Sequence, residues 1–98
     1  MTKIFFLSQQ SFTVFRGSQT ISFSTSAPGG AFFQGPTYSP SASASPSGLA
    51  VTLSIDSSSS QVCVINNGVV SYIGVGSCQI NANQGGTSNY FAASQVNE

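Results

Sequence analysis

The sequence predicts an all-β, antiparallel fold, and three observations carry that prediction. Strand formers outnumber helix formers: eight Phe and three Tyr stand among many Val, Ile and Thr, while Leu, Met, Glu, Lys and Arg are scarce. Turn chemistry recurs about every eight to twelve residues, the spacing of a sandwich or a barrel. No segment has helical periodicity, so there is no crossover helix to join parallel strands.

The elements follow in chain order. Gln10–Phe15 has strand composition and ends at Arg16-Gly17-Ser18. Gln19–Phe23 alternates cleanly and places Ile21 and Phe23 on one face. Ala27-Pro28-Gly29-Gly30 breaks the chain, and Ala31-Phe32-Phe33 reads as a short edge segment. In Thr37–Ala44, Tyr38, Pro40, Ala42 and Ala44 share a parity, and the proline assigns the run to an edge or a bulge. After the Ser45–Gly48 turn, Ala50–Ile55 directs Val51, Leu53 and Ile55 inward and Thr52 and Ser54 outward. Asp56 ends that strand as a turn former, and Ser57–Ser60 reads as an exposed loop. Val62–Ile65 and Val69–Ile73 flank Asn66-Asn67-Gly68, and Asn-Gly supplies the positive φ angles of a tight hairpin. Beyond the corner Gly74–Ser77, Cys78–Ala82 puts Cys78, Ile80 and Ala82 on one face. The loop 83–89 follows, and Tyr90-Phe91 with Gln95-Val96 begins a last strand. The sum is seven or eight short strands.

Composition narrows the function. Only Lys3, Arg16, Asp56 and Glu98 carry full charge, histidine is absent and the net charge is zero. Phosphate binding needs clustered Lys and Arg, so nucleic acid is not an expected partner. No apolar run reaches bilayer-spanning length, so membrane insertion is not expected. Met1–Ser8 is too short for a signal-peptide core and reads as a fragment boundary or a short edge strand. Acid–base catalysis needs a tuned His, Asp, Glu or Lys, and no nucleophile here has a base to activate it. The chain is therefore expected not to be an enzyme and to hold no metal or cofactor.

Cys63 and Cys78 are either a disulfide or two free core thiols. The Asn-Gly hairpin and the glycine corner between them let the chain fold back, and each shares a parity with an isoleucine, Ile65 or Ile80. The disulfide is the favoured reading, and it places the protein outside the reducing cytosol.

Several segments in order resemble the bacterial Ig-like repeat: Gln19-Thr-Ile-Ser-Phe23, Gly48–Asp56, Val62-Cys63, Gly76-Ser-Cys78, Ile80-Asn-Ala-Asn-Gln84 and Asn89-Tyr90. The resemblance spans roughly Gln19 to Val96. It implies an immunoglobulin-like antiparallel β-sandwich of about seven strands over 19–98. Such repeats stand in tandem in large adhesin-like surface or secreted proteins, and related domains decorate phage structural proteins. It also implies that residues 1–18 resemble the last strand of a preceding repeat. Gln10–Phe15 is then expected to fill an open edge, within the chain or by strand exchange with a neighbour.

The expected function is that of a structural spacer, with neighbouring Ig-like repeats as partners and an extracellular or cell-surface location. The alternative is a module binding a glycan or a host protein through loops 29–36 and 83–91. Its candidate ligand surface is Phe32, Phe33, Tyr90 and Phe91, whose adjacent pairs point to opposite strand faces. Packing is the expected use of most of the set Phe32, Phe33, Tyr38, Tyr72, Tyr90 and Phe91.

Overall fold

The computed structural model describes residues 9–98, so the reading of Met1–Ser8 lies outside the described residues. Seven short strands form: β1 (Thr20–Phe23), β2 (Ala42–Ser45), β3 (Thr52–Ile55), β4 (Cys63–Asn66), β5 (Val69–Tyr72), β6 (Ile80–Asn83) and β7 (Val96–Asn97). All strand pairings are antiparallel: β1 with β2, β4 with β5, and β6 between β3 and β7.

The β4–β5 hairpin closes where Asn-Gly predicts. Asn66 pairs with Val69, which leaves Asn67 (φ 50°) and Gly68 (φ 78°) as a two-residue turn. Positive φ at both positions matches the strand twist of a tight hairpin. Tyr38 makes a single antiparallel bridge to Val70, joining the approach to β2 to this hairpin. The strands thus form three antiparallel sheets, β1–β2, β4–β5 and β3–β6–β7, with this bridge between the first two.

The sheets meet over a thin core in two parts. Ile21, Ala44 and Ala82 form one part, with Leu53 and Val96 packed against it. Cys63, Val70, Tyr72 and Ile80 form the other, with Ile55 and Cys78 beside it, and Phe23 packs against both. Cys63 and Cys78 are joined by a disulfide with a Cα–Cα distance of 5.9 Å. The bond ties the hairpin to the segment leading into β6. The expected parity of Tyr38, Pro40, Ala42 and Ala44 also holds: these four are buried or half-buried, while Ser39, Ser41 and Ser43 are exposed.

Five expectations change. Gln10–Phe15 forms no strand and fills no edge of its own chain. Phe12, Val14 and Phe15 are 84%, 81% and 79% exposed, and no strand among the described residues covers them. Phe33 and Gln34 lie in a turn closed by Gly35 N–H donating to Phe32 O (2.8 Å), so Ala31-Phe32-Phe33 is not an edge strand. Ser54, expected outward, is half-buried, as are Val51, Leu53 and Ile55. Tyr90 makes only one parallel bridge, to Gly17, and regular pairing of the last segment is limited to Val96–Asn97.

Ser57–Ser60 is the fifth. Ser57–Ser59 is a 3-10 turn, and Ser59 is buried. Its hydroxyl donates to Ser77 O (2.9 Å) and accepts from Gln79 N–H (2.9 Å), which pins the turn to the corner before β6.

Candidate functional site

Hydrogen bonding orders the molecule into two poles. At the first, Gly17 exchanges backbone bonds with Asn89 and Phe91 (both 2.9 Å), and Ala93 N–H donates to Gln84 O (3.0 Å). At the second, Ile80 and Glu98 exchange backbone bonds (2.9 and 3.0 Å) and Asp56 N–H donates to Gln79 O (2.9 Å). Strands β1, β3 and β6 run between them.

The second pole holds an apolar cavity of about 390 Å³, with Phe32, Phe33, Tyr38, Tyr72, Val75 and Cys78 among its lining residues. The loop after β1 forms one wall, held by Gln34 N–H donating to Tyr72 O (3.2 Å). The corner after β5 forms the other. Ile73 and Gly74 N–H both donate to Val62 O (2.8 and 3.1 Å). This close approach requires glycine at 74, where a Cβ would stand 2.2 Å from Gln61 O. Of the disulfide, Cys78 lines the cavity.

The sequence-derived ligand residues do not share one surface. Phe32 (63% exposed) and Phe33 (51%) flank the cavity at the second pole. Phe91 (50% exposed) lies at the first, bordering a hollow of about 550 Å³ with Val14 and Phe15, and the Arg16 guanidinium sits 5.7 Å from its ring centre. Tyr90 is half-buried, and its ring stands where a Cβ on Gly17 would meet it at 3.1 Å. Tyr72 is buried in the core. Loops 29–36 and 83–91 therefore form two surfaces, each with exposed phenylalanine.

Polar groups at the second pole are engaged within the chain. The Tyr38 hydroxyl donates to the Glu98 carboxylate and shares a hydrogen bond with Thr25 Oγ1 (2.7 Å). Burial, and then the Glu98 carboxylate, push the Tyr38 phenol above its ordinary value, and burial does the same to Tyr72. Asp56, expected as a turn former, takes that role. Its Oδ2 accepts from the Ser58 hydroxyl and from Ser58 N–H (3.1 Å), and its Oδ1 accepts from Asn81 Nδ2 (3.0 Å).

These bonds hold the Asp56 carboxyl below its ordinary 3.8, the Ser58 hydroxyl contributing most and the Asn81 amide next. A depressed carboxyl stabilises the fold above its unfolded value, and that contribution is lost as pH falls through the folded value. Stability is therefore expected to decline below about pH 3.8. Asp56→Asn should flatten that part of a urea-midpoint profile, and an unchanged profile would show that Asp56 does not set it.

Sequence reasoning missed three buried polar residues: Gln19, Ser59 and Asn81. Gln19 Nε2 donates to Phe91 O (2.8 Å) and its Oε1 accepts from the Ser47 hydroxyl, which fastens β1 to the first pole. Among the described residues no group of three His, Cys, Asp or Glu side chains gathers at one place, and no helix is long and apolar enough to cross a membrane. What the cavity can do chemically is take up an apolar side chain or ring. No protein family, curated protein or solved structure compared with the chain matches it.

Proposed function

We propose that this chain is a non-catalytic, immunoglobulin-like spacer domain of an exported bacterial surface protein. The observation that carries the reading is the position of the two chain segments that bound the sandwich. Gly17 is bonded to Asn89 and Phe91 at one pole, and Glu98 to Ile80 at the other. Segments bonded at opposite poles suit a linear array in which repeats are joined end to end. The disulfide supports an oxidising location. The antiparallel strands in packed sheets support the sandwich, and the resemblance of the Gln19–Val96 segments supports the repeat family.

Two copies joined Glu98-to-Gly17 in one polypeptide test the reading by small-angle scattering. An in-line pair, with a maximum dimension near twice that of one sandwich, is the expected result. A side-by-side pair overturns it. Exposed Phe32 and Phe33 beside the cavity favour a second reading, a glycan- or host-protein-binding module. Saturable binding on a glycan array, abolished by Phe33→Ser, would establish that one instead.

A further inference from the structure

The exposed apolar side chains are not scattered. Nine large ones are exposed among the described residues: Phe12, Val14, Phe15, Phe32, Phe33, Val64, Ile73, Val75 and Phe91. Six of them fall into two clusters. Val14, Phe15 and Phe91 border the hollow at the first pole, next to Phe12 in sequence, and Phe32, Phe33 and Val75 line the cavity at the second. Single exposed apolar residues need no explanation, but contiguous patches mark contact surfaces.

Both clusters border hollows, and they differ in how they are held. The first is carried by a segment with no strand partner, and no backbone hydrogen bond ties residues 10–15 to the rest of the described chain. The second is concave, with room in its 390 Å³ for aromatic side chains. We infer that Phe12–Phe15 of one copy seats in the Phe32–Phe33–Val75 cavity of the next, so that the protein associates head to tail.

Three arguments favour a second copy as the occupant. The first is reach: the segment leaves the sandwich at Gly17, and the cavity lies at the far pole. Six extended residues span only about 20 Å, so return to its own cavity requires the chain to reverse along β1. A neighbour stacked in line requires no reversal. The second is charge, since among the described residues Arg16 is the only full charge near the donor and none lines the acceptor. The third is area. Two phenylalanines and a valine, each about four-fifths exposed, with the surface that receives them bury on the order of 800 Å². That is below the range of permanent interfaces and matches transient association. Donor and acceptor are different surfaces, so the contact is heterologous and leaves an unused cavity at one end of every chain of copies.

Sedimentation velocity of the full chain from about 10 μM to 1 mM tests this, the range expected for so small an interface. The wild type should show a weight-average mass that rises with concentration past that of a dimer. Phe12→Ser with Phe15→Ser, and separately Phe32→Ser with Phe33→Ser, should each raise the half-association concentration at least tenfold. An equimolar mixture of the two variants should stop at a one-to-one dimer, having one usable donor and one usable acceptor. Val75→Asp, at a side chain 91% exposed, serves as acceptor variant if the phenylalanine pair disturbs the fold. A wild type monomeric throughout overturns the inference, including one that instead binds phosphatidylcholine vesicles. So does association that survives both variants, or a mixture that forms no dimer. The spacer reading stands or falls separately, on the scattering of the joined pair.

Discussion

Replacing Cys63 and Cys78 together by alanine is expected to lower stability by about 3 kcal/mol, the chain-entropy value for a loop of this size. The two residues are 15 positions apart, and Cys63 is only 1% exposed. A small domain has roughly 5–15 kcal/mol in total, so this loss is a large fraction of it. The structure makes the effect larger than a surface staple would give. The bond links β4, in one sheet, to the segment entering β6, in another, and its sulfurs belong to the core part formed with Val70, Tyr72 and Ile80. Urea denaturation should show a lower midpoint, and a fall in melting temperature of more than about 10 °C should accompany it. A midpoint within error of the wild type would mean that packing alone holds the sheets together.

Ile80→Ala is expected to cost about 2–4 kcal/mol, in the range of a buried isoleucine truncated to alanine. Ile80 is 3% exposed, pairs with Ile55 across β3–β6, and exchanges both backbone bonds with Glu98. It reaches the disulfide-side core while Ala82, two residues on, reaches the other part, so β6 serves both. Val64→Ala is the control: Val64 is 38% exposed on the outer face of β4 and should lose less than about 1 kcal/mol. Equal losses at 64 and 80 in urea denaturation would contradict the assigned inward face of β6.

Much of this fold is legible locally. The Asn67-Gly68 turn is set by two residues whose backbone freedom no other pair offers as readily, so the hairpin is found where the dipeptide stands. The parity of Tyr38 to Ala44 survives because side chains alternate in an extended chain whether or not its hydrogen bonds form a regular ladder. The cysteines were legible from their apolar parity and the fold-back between them. What was not legible depends on distant partners. Ser59 sits in a run of serines, and nothing in that run marks the one whose hydroxyl meets Ser77 and Gln79. Gln19 and Asn81 are buried because a carbonyl, a hydroxyl or a carboxylate from elsewhere satisfies them. Gln10–Phe15 has the composition of a strand, but a strand also needs a neighbour, and none is there among the described residues. Phe32 and Phe33 were expected to divide between the two faces of a strand. The turn at Phe33-Gln34 removes that alternation and leaves both exposed.

The candidate surface divides for the same reason. Adjacency in sequence placed Phe32 with Phe33 and Tyr90 with Phe91, but only the strand connections put one pair at each pole.

The protein is a thin, charge-poor β fold closed by one disulfide, and the proposed exported location requires that bond to persist. Peptide mapping under non-reducing conditions, on protein recovered from its natural source with thiols blocked at lysis, tests this most directly. A single linked peptide pair carrying Cys63 and Cys78, with neither thiol labelled, is the predicted result. Two labelled, unlinked cysteines would contradict both the staple and the exported location.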